Sequence, residues 1–196
     1  MKIKTLKSGK LNNNTYIVCN DNDECILIDA AAEVADIKAR TEDDGIKVLG
    51  VILTHGHYDH FENLDKIMDY FKVKCYVTES ELEKLYNPKA NYSITFNVIK
   101  TTRQPKENFE ILKNQDNINL GNFNIKTFVT PGHTDGSICI EIEDKLFTGD
   151  TKFLWSCGRT DLITGSEEDM QKSLEYIEKH YKGKEFFPGH GRNGII

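Results

Sequence analysis

The sequence predicts an α+β fold, an αββα sandwich in which two β-sheets pack face to face with helices on both outer faces. Three observations carry this. Runs of β-branched and aromatic residues fall into two groups, one within residues 15–78 and one after residue 122. Amphipathic helical stripes lie between or after the strands of each group, so each sheet has helices to cover it. The 196 residues suffice for a single domain spanning 1–196, which at this length buries about 70% of its unfolded surface.

Element by element, "TYIVC" (15–19), "CILID" (25–29) and "KVLGVILT" (47–54) read as strands. The first two, joined by the polar "NDNDE", form a hairpin, and Glu33 to Thr41 is a short helix closed by Gly45. Phe61, Leu64, Ile67, Met68 and Phe71 make an apolar stripe on a helix beginning near Phe61. "KCYVT" is a strand and "ESELEKLYN" a short helix stopped before Pro88. The segment 87–120, rich in Asn, Lys and Thr, is expected to hold strands with long connections. Strands return at "FNIKTFVT", "SICIEIE" and "KLFTGD". A helix over 167–181 follows, with Ser166 and Asp169 as a capping box and Met170, Leu174, Ile177 and Tyr181 on one face. "KEFF" is a last short strand running into "PGHG".

Composition excludes several classes. A net charge of −6 with lysines and carboxylates interspersed offers no basic stripe for nucleic acid. No apolar stretch approaches the roughly 20 residues of a membrane span, and "MKIKTLKSGKLNNN" has no apolar core of signal-peptide length. The five cysteines are scattered without a Cys-x-x-Cys pair, and four lie among apolar or β-branched neighbours. They read as reduced thiols of a cytoplasmic protein.

Chemistry concentrates in "VILTHGHYDHFENL" (51–64), which holds three of the chain's six histidines. In an extended chain residues i and i+2 face the same way, so His55 and His57 present two imidazoles to one point. Asp59 and His60 sit where the chain turns toward the helix and are aimed differently, which favours two adjacent metal positions over one. An N-cap role for Asp59 with Glu62 is the plainer alternative. Further donors stand at strand ends beside glycines: His133 in "TPGHTDGS", Asp150 in "LFTGDT" and His190 in "FFPGHG". Singly, Asp150 and His190 also suit a turn; with the first cluster they complete a set of five histidines and two carboxylates. His180, on the polar part of the last helix, is left over as a surface residue.

The ordered pattern His-x-His-x-Asp-His, then His, then Asp, then His resembles that of the metallo-β-lactamase fold over essentially the whole chain. The resemblance implies a sandwich of two mixed sheets with metals at the strand ends between them. It also implies that His55, His57 and His133 hold one metal, that Asp59, His60 and His190 hold a second, and that Asp150 bridges both. Imidazole and carboxylate without thiolate suit two divalent ions, zinc foremost, with iron or manganese as alternatives. Such ions share a water and lower its pKa from 15.7 to about 7. The expected reaction is hydrolysis by that hydroxide, with Asp59 and Asp150 as the catalytic carboxylates. By position, Asp29 and Thr54 are candidates to orient the ligating histidines; turn chemistry and strand ending are their ordinary readings.

Asp150 stands where the best-known zinc β-lactamases carry cysteine, and those enzymes lack a His60-type ligand, so the resemblance points away from antibiotic hydrolysis. The full donor set with "SCGRTD" (156–161) is similar to glyoxalase II and its short relatives, thioesterases acting on acyl-thiols such as S-lactoylglutathione. The partner this implies is a small-molecule thioester. With six residues after His190, the helical glutathione-gripping domain of glyoxalase II is not expected, so the resemblance implies the hydrolytic centre and not the glutathione specificity. "GRTD" also resembles persulfide dioxygenases with a single iron; a lactonase is a third reading. A metal-binding module without catalysis would show a lost donor, and none is missing. Arg159 either holds a substrate carboxylate through its bidentate fork or pairs with Asp161. Cys157 either lines the pocket or is a buried thiol.

Overall fold

The computed structural model describes residues 1–196, Asp43 by its backbone alone. Strands β1 (Lys2–Ser8), β2 (Asn13–Cys19) and β3 (Glu24–Ile28) lead into helix α1 (Val34–Thr41). Strand β4 (Lys47–Ile52) is followed by a single 3₁₀ turn over Tyr58–His60 and by α2 (Leu64–Phe71). Next come β5 (Cys75–Thr78), α3 (Glu79–Leu85), β6 (Phe109–Leu112), β7 (Asp116–Leu120), β8 (Phe123–Val129), β9 (Ile138–Ile142) and β10 (Lys145–Gly149). Helix α4 (Glu167–Tyr181), β11 (Glu185–Pro188) and β12 (Gly194–Ile195) come last.

The strands form two sheets, ordered β1-β2-β3-β4-β5-β6 and β12-β11-β10-β9-β8-β7. Both are mixed: β3 to β6 run parallel while β1 to β3 are antiparallel, and in the second sheet only β10 and β11 are parallel. The α+β sandwich expected from the sequence is the fold observed. Residue alternation builds its layers. On β2, Tyr16 and Val18 face the second sheet and pack with Ile140, Phe147 and Phe187. Ile17 and Cys19, pointing the other way, pack under Ile37 of α1, Leu64 and Ile67 of α2, and Leu82 and Leu85 of α3. Helix α4 covers the far face through Ile177 and Tyr181 against Phe128, Leu146 and Phe186. Ser166 Oγ accepts the Asp169 backbone N–H at 3.2 Å, as its capping pattern predicts.

Four local differences bear on the site or the sheet edges. Strand β1 was not expected; its alternation of lysines with half-buried Ile3 and Leu6 suits an exposed edge, where charge blocks further pairing. The third strand stops at Ile52, two residues early, and β3 stops at Ile28, where Asp29 turns to φ +60°. Helix α2 begins at Leu64 rather than near Phe61, so Asp59 caps nothing and is free to turn inward. The irregular section contains β6 and β7. All five cysteines are free thiols, four buried and Cys157 half-buried. Among the described residues no helix is long and apolar enough to cross a membrane.

Candidate metal centre

Strands β8, β10 and β11 run the same way, as do β3 and β4, and the carboxyl ends of both sets meet at one edge of the sandwich. Each donor follows one of these ends. His55 and His57 lie just past β4, Asp59 and His60 in the 3₁₀ turn after them, His133 past β8, Asp150 directly after β10 and His190 past β11. All seven predicted donors therefore come together, from segments as far apart as residues 55 and 190.

Three donor groups have ligand atoms within 4.8 Å of one another: His55 with His57 and His133, Asp59 with His60 and His190, and His55 with His60 and Asp150. His57 Nδ1 lies 2.8 Å from His133 Nε2 and 3.2 Å from His55 Nε2. His190 Nε2 lies 3.2 Å from Asp59 Oδ2. The Asp150 carboxylate sits between the sets, with Oδ2 3.5 Å from His133 and 3.6 Å from His190, and Oδ1 3.4 Å from His60. A side chain on Gly189 would collide with Asp150 and His60, so the close approach of the last loop requires glycine there.

Outward contacts fix how the rings face. His60 Nδ1 donates to Asp29 Oδ2 at 2.8 Å, His133 Nδ1 to the Arg159 carbonyl at 2.8 Å and His190 Nδ1 to the Leu11 carbonyl at 3.1 Å. With a proton held on each Nδ1, Nε2 is the nitrogen aimed into the site and the one left to bind a metal, the arrangement a metal-ligating histidine needs. Asp29 also accepts from the Thr54 backbone at 2.8 Å, and Thr54 Oγ1 lies 3.2 Å from His55 Nδ1. Both candidate orienting residues thus touch the histidines.

The donor set fits divalent cations on its own chemistry. His60 Nε2 and Asp150 Oδ1 are buried without a hydrogen-bond partner, a costly state unless another ligand engages them. Burial opposes charge on His60, but the carboxylates of Asp29, Asp150 and Asp59 outweigh it and raise its pKa well above the ordinary value. Burial likewise opposes ionisation of Asp150, and His60, His133 and His190 overcome it, holding the carboxyl below the usual range. An excess of buried negative charge is balanced by protons in the metal-free chain, where a cation would serve.

This fixes a pH dependence for the metal-free protein. Burial and neighbouring rings push His55 and His57 down, His57 to about 3, from an unfolded value of 6.5. Below pH 6.5 the unfolded chain takes up protons that these folded rings refuse, so stability falls as pH falls. The stability contributed by His60 is fully present below 6.5 and lost as pH rises through its raised folded pKa. Calorimetry in excess chelator is expected to place the highest Tm near pH 6.5, with losses on both sides. A Tm that rises steadily from pH 5 to 9 would contradict the arrangement.

A cavity of about 350 Å³ opens onto the donors and is walled by Leu11, Tyr58, Tyr92, Phe96, Phe153 and Leu162, with Cys157 and Arg159 at its rim. A larger open groove of about 1020 Å³ shares Cys157 and Arg159 but runs along α4 and reaches none of the seven donors. The Arg159 guanidinium is paired bidentately with Asp161 at 2.8 and 2.9 Å, both exposed. His180 is exposed on α4.

Three residues absent from the sequence reading support the site. Asn14 Nδ2 and Tyr16 Oη both donate to the Pro188 carbonyl, at 2.9 and 2.5 Å, anchoring the loop that carries His190. Their i, i+2 spacing on β2 was the available signal. Tyr92, at φ +63°, sets its ring edge-on to His57 at 5.3 Å and accepts the Ile163 backbone N–H, tying two loops across the cavity.

Two packed mixed sheets with a His/Asp donor cluster at their joint edge define a candidate metal centre of the kind that metal-dependent hydrolases carry. The chain belongs to the metallo-beta-lactamase superfamily, whose family model matches residues 8–190. Its relatives include the probable metallo-hydrolase YqgX of Bacillus subtilis (strain 168), 30% identical over 176 residues, covering 89% of this chain and 82% of that protein. The probable metallo-hydrolase M6_Spy0554 of Streptococcus pyogenes serotype M6 is 33% identical over 206 residues, covering 100% of this chain and 86% of the relative. Among solved structures, the BLEG-1 B3 metallo-beta-lactamase superposes with a TM-score of 0.93 at 28% identity, over 99% of this chain and 94% of that one. TTHA1623 in a di-iron-bound form gives 0.84 at 23% identity over 98% and 94%, a likeness of fold.

Proposed function

We propose that the protein is a binuclear, zinc-dependent thioesterase that splits small acyl-thiols. The observation that carries the binuclear reading is the position of Asp150, whose two carboxylate oxygens face donors of both sets. Two divalent ions held there would supply a water with pKa near 7 and polarise the thioester carbonyl. The chain's own groups do the rest. His55, His57 and His133 would hold one ion, Asp59, His60 and His190 the other, and Asp150 both. Asp59 and Asp150 would orient the attacking water. The aromatic wall formed by Tyr92, Phe96 and Phe153 would exclude bulk water and seat the acyl or thiol portion.

Arg159 is the one non-histidine cation lining the cavity, and Asp161 already neutralises it. Uncharged acyl-thiols are therefore the favoured substrates over those bearing carboxylates near the thioester. Reduced thiols support a cytoplasmic setting.

The test is release of free thiol from neutral acyl-thiols and from S-lactoylglutathione, together with elemental analysis of the untreated protein. Two zinc ions per chain and thiol release are expected. Inactivity on every thioester by fully loaded protein would remove the reading, and one iron with oxygen uptake on a persulfide would replace it with a dioxygenase. The similarity to BLEG-1 at 0.93 favours a β-lactam amide as a second reading, for which hydrolysis of a chromogenic cephalosporin is the assay.

A further inference from the structure

Helix α3 carries a buried ion pair that the proposed chemistry does not use. Glu81 is 1% exposed and Lys84 5%. The Glu81 carboxylate accepts the Gly56 backbone N–H on Oε2 at 2.7 Å and the Gly136 backbone N–H on Oε1 at 3.0 Å. Gly56 stands between His55 and His57; Gly136 lies three residues past His133. Lys84 Nζ donates to Glu81 Oε1 at 2.8 Å, to the Ser80 carbonyl at 3.2 Å and to Asp135, so all three ammonium protons are placed.

We propose that Glu81, with Lys84 as its counter-ion, is a positioning residue that sets the spacing of His55, His57 and His133 by clamping the two loops that carry them. The loops follow strands of different sheets, and a single carboxylate holds one backbone N–H from each. Carboxylate bonds to backbone N–H are short and about twice as strong as neutral ones. A buried charge of this kind costs several kcal/mol to desolvate, and Lys84 together with the two N–H groups offsets that cost. Both contacts also demand glycine: a Cβ at Gly56 or Gly136 would meet α3 atoms within 3 Å. The second donor set, Asp59, His60 and His190, has no bond to Glu81, and His190 stands on neither clamped loop, so the clamp bears most directly on the histidine triad and its loss should weaken that position more than the other.

The inference rests on reading the histidine triad as a metal position. In Glu81→Gln the side chain keeps its shape but offers one accepting oxygen to two N–H donors, and its amide faces a third donor in Lys84. Zinc titration against a competing chelator should then show one of two positions weakened 10- to 100-fold, the range for groups that orient ligands. Ring NMR signals of His57 and His133 should titrate late while those of His60 and His190 titrate as in the wild type. Equal weakening of both positions, or of neither, would overturn the clamp, since a merely structural role lowers both together. A wild-type chain that takes up no zinc would overturn the metal reading itself, and the clamp with it. Should Glu81→Gln fail to fold, amide exchange in the wild type decides: zinc should slow Gly56 and Gly136 by a common factor, and an unchanged Gly136 rate would count against the proposal.

Discussion

Asp150→Asn is expected to lower hydrolytic kcat/KM by about 10²- to 10³-fold, the scale on which removal of one preorganised electrostatic group acts, while the chain stays folded. The substitution is nearly isosteric, so the tight fit beneath Gly189 is kept. What it removes is the anion. In the wild type that charge faces His60, His133 and His190 at 3.4 to 3.6 Å, and one of its oxygens has no other partner. An amide presents one oxygen instead of two and carries no charge, so it cannot serve both donor sets. Metal content should fall with activity, to one ion or fewer per chain. Circular dichroism should be unchanged, and Tm should be less sensitive to added zinc than in the wild type. Activity within a few-fold of wild type would show that Asp150 does not join the two sets. Chelated wild type should behave like the variant, but its activity should return with zinc; the variant's should not.

The donor positions were legible because they combine two independent signals, a metal-ligand residue type and the end of an apolar strand. His133, Asp150 and His190 each follow such a run, and sheet topology brings the ends together. The sandwich was legible through two groups of apolar strand runs with helical stripes between or after them; which residues serve which layer was not, because β2 is buried on both faces, Tyr16 and Val18 toward one and Ile17 and Cys19 toward the other. The start of α2 was misplaced because Phe61 belongs to the same buried cluster as Leu64 and Ile67. Its apolar character signals the core it joins, whereas the backbone turn that delivers Asp59 and His60 has no apolar period. Strand β1 carries three lysines and reads as surface. Glu81 and Lys84 were invisible for a different reason. At i, i+3 on a helix, an acidic and a basic residue ordinarily form a solvent-exposed pair, and only the packing of α3 against two loops buries them. For Arg159 the sequence offered two partners, and the structure pairs it with Asp161.

The largest stability effect is expected from Phe147→Ala, which should destabilise the fold by about 3–5 kcal/mol, the range for a buried aromatic truncated to alanine. Phe147 is fully buried on β10, at the joint between the two sheets. Its ring stacks on Phe187 of β11 at 5.1 Å and meets the edge of Tyr16 of β2 at 5.3 Å. Tyr16 in turn donates to the Pro188 carbonyl, so the trio spans both sheets and ends on the His190 loop. Set against a total stability of roughly 5–15 kcal/mol, the loss should appear as a clear drop in the denaturation midpoint. At about 2–4 °C per kcal/mol for a chain of this size, Tm should fall by roughly 6 to 20 °C. Trp155→Ala is the control: that ring is 91% exposed, and its loss should stay within about 0.5 kcal/mol. Because the seven donors are untouched, zinc should recover part of the loss in Phe147→Ala by mass action, about 2.7 kcal/mol at a hundredfold excess over Kd. If the variant instead unfolds at the wild-type temperature, the aromatic joint is not what holds the two sheets, and their donors, in register.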